Sequence, residues 1–149
     1  MFLHERDAFD KQYQILAERA QDLPPTVIHC FTGSEDALQH YLDLGLYIGI
    51  TGWLCDAKRG KVLRELVALI PEDRLMIETD APYLLPRKTP SAKALPSSRR
   101  NEPSTLPEVL KTLAECRQQS SDALGRQLLL NSCNFFGIFS LPEGPKIRS

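Results

Sequence analysis

The sequence lacks a long apolar segment, a paired-cysteine motif and an excess of charge of either sign. No run approaches the roughly 20 apolar residues that a membrane-spanning helix needs, so we expect no membrane segment. The start, Met1-Phe2-Leu3-His4, has no basic region and no extended apolar region, so no secretory signal peptide is expected. The four cysteines stand at wide, irregular spacings, with no Cys-x-x-Cys pair. We therefore expect buried, reduced thiols in a cytoplasmic protein rather than a disulfide framework or a structural zinc site.

The net charge of −1 over 149 residues excludes a polycation that would bind nucleic acid over its whole surface. Charge is nevertheless concentrated locally. Residues 81–101 contain five basic side chains and no acidic one: Arg87, Lys88, Lys93, Arg99 and Arg100. A local positive field of this kind can attract a phosphate backbone without making the protein basic, although a solvated surface loop has the same composition.

Short apolar runs alternate with longer amphipathic segments along the chain. The apolar runs cover residues 1–3, 27–31, 46–51 and 75–80. The segments between them have apolar residues at helical spacing, Ser34 suits a helix N-cap and Gly45 suits a helix C-cap. This alternation predicts a parallel sheet covered by helices, with four βα units. A closed barrel needs eight units and typically about 250 residues, so the pattern indicates either a small open α/β sheet or half of a barrel.

The remaining segments predict a functional loop, two helices and a tail. A loop of about twenty residues follows Asp80, and loops of this length in compact domains are usually functional. Thr105 and Glu108 suit a capping box at the start of the next helix. A last helix is expected from about Ser121 to Gly137. We predict one partial barrel domain over residues 1–140 and a flexible tail over residues 141–149.

Three of the four apolar runs end in a residue that can bind a metal ion: His4, His29 and Asp80. The carboxyl ends of parallel strands meet at one rim of a sheet, and α/β proteins build their sites there. Imidazole and carboxylate ligands suit a divalent ion, from magnesium and manganese to zinc. These residues therefore predict a metal site at one rim, in which the ion would polarise a phosphoryl oxygen.

Each of these residues also has an ordinary structural interpretation. A histidine at a strand end can serve only as a hydrogen-bonded structural residue, and Asp80 can cap a turn before Pro82. Glu78 has the same strand parity as Asp80 and can point inward as an ion-pair partner. Trp53 suits rim packing or, if exposed, stacking on a base. From spacing alone, a metal hydrolase is one interpretation among these.

Five strings in fixed order carry a resemblance to the TatD family of metal-dependent deoxyribonucleases, over residues 1–139. They are Phe2-Leu3-His4-Glu5-Arg6-Asp7-Ala8, His29-Cys30-Phe31-Thr32-Gly33, Gly49-Ile50-Thr51-Gly52, Glu78-Thr79-Asp80-Ala81-Pro82-Tyr83-Leu84 and Arg99-Arg100-Asn101-Glu102-Pro103. The resemblance implies an α/β fold, the C-terminal half of a TIM-type (β/α)8 metal-dependent hydrolase barrel.

The resemblance also assigns roles. It implies that His4 and His29 are ligands of a second metal ion, and that Asp80 is both a ligand of the first ion and the catalytic residue that orients or deprotonates the attacking water. It places Asn101, with Arg99 and Arg100, on the substrate side. The implied cofactors are two divalent ions (Mg, Mn or Zn) in a complete site.

The chain departs from the family pattern in its ligand set. The family's His-x-His pair on the first strand and its bridging Glu on the fourth strand are absent, and His40 lies mid-helix and cannot replace them. One metal ion would keep two of three ligands and the other one of four. Met1 falls at a position that is internal in the family, so we expect a truncated gene product, a misassigned start codon or a fragment. The outer edges of the first and fourth strands should then be exposed and favour self-association.

The sequence as a whole favours a metal-dependent DNase that hydrolyses phosphodiester bonds, exonucleolytically, with single-stranded DNA or 3′ ends as substrate. Because ligands are missing, the sequence also raises the expectation that the chain as given is truncated and inactive. The alternatives are a non-catalytic remnant that binds nucleic acid weakly and an amidohydrolase-like enzyme acting on a small ester or amide. Salt-sensitive DNA binding without cleavage would identify the remnant.

Overall fold

The computed structural model describes residues 1–86 and 100–138, and its centre is a four-stranded parallel sheet in the order β1-β2-β3-β4. The strands are β1 (Phe2–His4), β2 (Val27–His29), β3 (Tyr47–Ile50) and β4 (Leu75–Ile77). All three pairings are parallel, and His4 lies in register with His29. The predicted parallel sheet with four βα units is confirmed. The predicted tail, residues 141–149, and the last residues of the predicted domain lie outside the described residues.

Helices follow each strand. They are α1 (Phe9–Glu18), α2 (Glu35–Asp43), α3 (Lys61–Leu66), α4 (Leu106–Arg117) and α5 (Ser121–Phe136). The predicted N-cap is confirmed, since Ser34 Oγ accepts a hydrogen bond from Ala37 N at 3.2 Å. Gly45 and Gly137 follow their helices with φ of 73° and 66°, a left-handed conformation that glycine adopts without steric cost. None of these helices has the length and apolarity needed to cross a membrane, within the part of the chain that is described.

Three local predictions were wrong in detail. The second strand ends at His29 rather than at residue 31, because Cys30 turns the chain with a φ of 50°. The helical spacing of Phe9, Tyr13, Leu16, Ala20 and Leu23 predicts a first helix that runs up to Pro24. Instead α1 ends at Glu18 and a 3-10 turn follows over Ala20–Asp22, since Leu23 must be extended before Pro24. The capping box is absent: the Thr105 hydroxyl donates to Asn101 Oδ1 instead of accepting from the helix.

The two faces of the sheet have different roles. One face packs under the helices and forms the core, with Ile28, Ile48, Ile50 and Leu75 at most 1% exposed. Side chains alternate along a strand, so the opposite face carries Val27, Tyr47 and Met76 and, at its carboxyl end, His4, His29 and Glu78. The candidate site residues therefore lie at the carboxyl end of the face opposite the helix-covered core.

The two outer edges of the sheet differ. At β4, the carboxamide of Asn131 on α5 donates to the carbonyl oxygens of Leu75 and Glu72 at 2.7 and 2.6 Å, and Asn131 is only 2% exposed. At β1, Phe2 and His4 are exposed, and no described strand pairs with the outer side. At β1 the exposed edge is as expected, whereas at β4 the Asn131 amide on α5 already occupies the outer carbonyl of Leu75.

Candidate metal centre at the carboxyl rim

His4 and His29 end adjacent strands and lie side by side at the carboxyl rim of the sheet. Their positions pair in the parallel register of β1 and β2, and their ring centroids are 5.9 Å apart at an interplanar angle of 39°. His4 is exposed, whereas the side chain of His29 is 22% exposed. Neighbouring parallel strands thus bring together two imidazoles that are 25 residues apart in the sequence, as the sequence predicted.

Glu78 and Asp80 follow β4 and lie at the same rim, towards the opposite edge of the sheet from β1. Glu78 Oε1 lies 2.9 Å from His29 Nδ1, and Asp80 Oδ1 lies 3.5 Å from His29 Nε2. His29 is therefore held between two carboxylates, one at each ring nitrogen. The structure brings all three predicted ligands, His4, His29 and Asp80, to one rim, and adds Glu78 as a direct partner of His29.

These donors suit a divalent ion in kind. If the neutral imidazole of His29 carries its proton on Nδ1, towards Glu78, then Nε2 carries the lone pair. That lone pair faces the Asp80 carboxylate with no proton between them. Two donors that share one ion at roughly 2.0–2.2 Å stand about 3.0–3.5 Å apart, and the observed separation of 3.5 Å is compatible with this. A cation between Nε2 and Oδ1 would relieve their mutual repulsion.

The donors are too few in number to complete a site. Within residues 1–86 and 100–138, no group of three or more His, Cys, Asp or Glu side chains is arranged to hold a metal ion. His40, the third histidine, lies on α2, where its Nδ1 contacts the carbonyl of Asp36 at 2.8 Å. The described residues therefore offer part of a coordination sphere, and the assignment of His4, His29 and Asp80 as ligands stays a prediction.

Cysteine chemistry does not contribute a nucleophile at this rim. All four cysteines are free, as predicted, but only Cys55 is buried, while Cys30, Cys116 and Cys133 are half-buried. Burial raises the pKa of the Cys30 thiol; the hydrogen bond from Thr51 lowers it, and the Asp80 and Glu78 carboxylates raise it again. With a pKa above the ordinary value, Cys30 stays a thiol at neutral pH rather than a reactive thiolate.

An open cleft of about 1010 Å³ lies beside His4. It is lined by residues that follow β1, β2 and β3, including the cationic Arg6, Lys11 and Arg59 and the acidic Glu5, Asp7 and Asp10. Arg59 lies over the Trp53 ring at 4.5 Å from its centroid. Beside Asp80, Tyr83 is 70% exposed and lies at the rim rather than in the core. Cations and exposed aromatic surface therefore border the rim.

The predicted substrate residues have different surroundings. Asn101 is 2% exposed: its Nδ2 donates to Tyr83 O at 2.7 Å, and its Oδ1 accepts from Glu102 N and Thr105 Oγ1 at 2.9 and 2.6 Å. These bonds give Asn101 a structural role in joining the loop after β4 to α4, and its predicted substrate contact remains untested. Arg100 is exposed. Arg99, like the other basic residues at 87–99, lies outside the described residues.

This parallel sheet, with polar side chains at the carboxyl ends of its strands, has the architecture of half a (β/α)8 hydrolase barrel, the fold of the solved structures that it matches. Within that class, the chain belongs to the TatD family: the model of that family, described as TatD related DNase, matches residues 1–137. Nucleases of this family are in general metal-dependent enzymes.

Individual relatives agree. The chain is 50% identical over 138 residues to a Klebsiella pneumoniae protein named 3′-5′ ssDNA/RNA exonuclease TatD. The matched region covers 93% of this chain and 51% of that protein. Two solved structures superpose on this chain with TM-scores of 0.79 each. The first, a TatD family hydrolase from Entamoeba histolytica, is 27% identical, and the match covers 91% of this chain and 50% of that one. The second, a TatD homologue from Escherichia coli K12, is 29% identical, and the match covers 92% of this chain and 49% of that one. The chain thus spans about half the length of the relatives it matches.

Reasoning from sequence missed two features of the site. The sequence predicts that Glu78 can point inward, but it does not predict the contact of Glu78 with His29 or the role of Gly49. The signal was present in the string Gly49-Ile50-Thr51-Gly52, where a glycine inside a buried strand indicates a close approach by another group.

Proposed function

We propose that this chain carries part of the phosphodiester-hydrolysing site of a TatD-type nuclease, with DNA as substrate and cleavage from the 3′ ends of single strands. The observation that carries the proposal is the convergence of His29 Nε2 and Asp80 Oδ1, 3.5 Å apart at the carboxyl rim beside His4. The names of relatives such as the Klebsiella protein, a 3′-5′ ssDNA/RNA exonuclease, support the substrate class.

In this proposal His4, His29 and Asp80 supply ligands for divalent ions (Mg, Mn or Zn), and further donors complete the coordination. A bound ion would polarise a phosphoryl oxygen and make a bound water more acidic. Asp80 is the catalytic residue: its carboxylate would orient the attacking water and accept its proton. The side chain is 35% exposed, so water and a phosphate group can both approach it.

The surroundings of the rim suit a single strand of nucleic acid. Arg6, Lys11 and Arg59 in the cleft offer phosphate contacts, and Arg100 adds a positive charge near the loop after β4. The exposed Tyr83 ring offers a surface on which an unpaired base can stack. Acidic side chains share the cleft, so we propose that phosphate is held at individual cations rather than by a uniform positive field.

The test is cleavage of end-labelled single-stranded DNA by the purified chain with magnesium or manganese. We expect shortening of the labelled strand that depends on metal and falls by about 10²–10⁴-fold in Asp80→Asn. The matched control is Asp43→Asn, which makes the same chemical change at the exposed far end of α2 and should keep full activity. Equal rates in Asp80→Asn and the wild type would contradict the role of Asp80.

A second candidate function is non-catalytic binding of nucleic acid, and the incomplete ligand set in the described residues favours it. It predicts intact DNA in the cleavage assay together with binding by fluorescence anisotropy that weakens steeply as salt increases. A folded chain that neither cleaves nor binds single-stranded DNA would contradict both candidates.

A further inference from the structure

We infer that Glu78 is a positioning residue for His29, and that Gly49 is glycine because the Glu78 side chain must pass over it. The geometry stands on its own, whereas its consequence for hydrolysis rests on the proposed function. His29 ends β2 and Glu78 follows β4, so β3 lies between them. To reach His29, the carboxylate of Glu78 has to cross an entire strand.

The crossing occurs at Gly49 on β3. A Cβ atom at this position would lie 2.4 Å from Glu78 Oε1 and 3.0 Å from its Cδ, and 3.2 Å from the carbonyl oxygen of Ile28. Real Cβ atoms do not approach other atoms as closely as the first of these distances, so any side chain at Gly49 would displace the carboxylate. The backbone of Gly49 is not in the left-handed region, unlike that of Gly45. Glycine is therefore required here for space and not for conformation.

One oxygen of Glu78 then makes two contacts, a hydrogen bond and an ion-pair contact. Oε1 accepts from the backbone N–H of Cys30 at 2.8 Å and lies 2.9 Å from His29 Nδ1. The first bond holds the turn at Cys30, whose φ of 50° is unusual for a residue other than glycine. The second holds the imidazole ring. Glu78 thus fixes both the backbone just after His29 and the orientation of its side chain.

The chemical consequence concerns the proton on His29. A neutral imidazole that donates from Nδ1 carries its lone pair on Nε2, and Nε2 is the nitrogen that faces Asp80 Oδ1. A second-sphere carboxylate commonly fixes a ligand histidine in this way. Without Glu78, the ring is free to rotate and to place its proton on Nε2, which removes the lone pair from the side where Asp80 lies.

The test is the position of the His29 proton, observed by long-range ¹H–¹⁵N NMR of the chain labelled with ¹⁵N-histidine. The spectra are recorded at alkaline pH, where imidazole is neutral, without metal or DNA. The chain has three histidines, so His29→Gln and His40→Gln variants suffice to assign the signals. We expect the wild type to carry the His29 proton on Nδ1, with Nε2 unprotonated.

Four variants sharpen the test. Glu78→Ala and Gly49→Ala should each lose the Nδ1–H signal, and adding Gly49→Ala to Glu78→Ala should change nothing further. Glu78→Gln keeps an acceptor oxygen and should restore the signal. Gly125→Ala is the matched control, because its new methyl group would meet only the flexible end of Leu110 at 3.3 Å. If Gly49→Ala fails to fold, the comparison of Glu78→Ala with Glu78→Gln still decides.

A Glu78→Ala chain that keeps its His29 proton on Nδ1 would overturn the inference. So would a Gly49→Ala substitution that changes the His29 signals of the Glu78→Ala chain as much as it changes those of the wild type. Neither result depends on nuclease activity. An inactive chain with the expected spectra would contradict only the proposed hydrolysis, and an active chain with unchanged spectra in Glu78→Ala would contradict only the positioning role.

Discussion

Two clusters of polar residues include side chains that follow β4, and they differ in exposure and in hydrogen bonding. The rim cluster, formed by His4, His29, Glu78 and Asp80, is partly open: the side chains of His29 and Asp80 are 22% and 35% exposed. The loop anchor, formed by Asn101 with Tyr83 and Thr105, is closed, since Asn101 is 2% exposed and both ends of its amide are bonded within the chain. Burial with complete hydrogen bonding indicates a structural role, and incomplete bonding at an exposed rim indicates a site.

The largest effect expected from this comparison is the loss of the loop anchor. Asn101→Ala leaves the carbonyl of Tyr83 and the N–H of Glu102 without their partner, and buried groups that lose a partner are costly. We expect the free energy of unfolding to fall by about 2–3 kcal/mol. Urea denaturation followed by circular dichroism measures it. A loss as small as that of a surface substitution would show that the anchor is not what joins the loop to α4.

Removal of a single bond from the anchor should cost less. Thr105→Val deletes the hydroxyl that donates to Asn101 Oδ1 at 2.6 Å but leaves Glu102 N as a donor to the same oxygen. We expect about 1 kcal/mol of destabilisation by the same denaturation experiment. If Thr105→Val proved as damaging as Asn101→Ala, the hydroxyl rather than the amide would be the centre of the anchor.

The comparison extends to a charged group, the carboxylate of Asp56. Hydrogen bonds from the Arg59 backbone, and further ones from the Arg59 side chain and Lys58 N, lower the pKa of Asp56 from 3.8 to about 2 against the effect of burial. A lowered pKa means that its stabilisation is present above the unfolded value and is lost as pH falls towards 2. Asp56→Asn should therefore flatten the acid limb of stability between pH 4 and 2, measured by thermal melts across that window. An unchanged acid limb would contradict this.

The smallest effect is expected in the rim cluster. His4→Gln removes an exposed ring that the described structure does not bury, so the free energy of unfolding should change by less than about 0.5 kcal/mol. The same denaturation series supplies the measurement. A large loss of stability would assign His4 to the structure rather than to a site.

Much of the fold follows from local patterns. Apolar runs separated by helical periods specified four parallel strands, and Ser34 and Gly137 marked helix ends correctly because caps depend on one or two neighbouring residues. The rim positions of His4, His29 and Asp80 followed from a rule about strand ends. These are features that a short stretch of sequence determines.

What could not be predicted depends on contacts between distant segments. Nothing near Asn101 in the sequence shows that its amide is enclosed by Tyr83 and Thr105, so its structural role could not be predicted. The bond from Asn131 to Leu75 spans 56 residues, and the bond from Glu78 to Cys30 spans 48. Side-chain partners at such separations are set by tertiary packing, which the period of a helix or strand does not report.

Because Asn131 caps the outer carbonyl of Leu75 on β4, the two edges of the sheet differ in their capacity to pair with a further strand. In a parallel sheet, successive residues of a strand bond alternately to the strands on its two sides. The carbonyl of Leu75 faces away from β3 and already accepts a hydrogen bond from the Asn131 amide. Among the described residues, β1 therefore offers unpaired outer backbone groups to a further strand, whereas at β4 one such group already has a partner within the chain. Two copies that paired through β1 would use the same surface on each, a contact that closes about a two-fold axis rather than extending into an open stack.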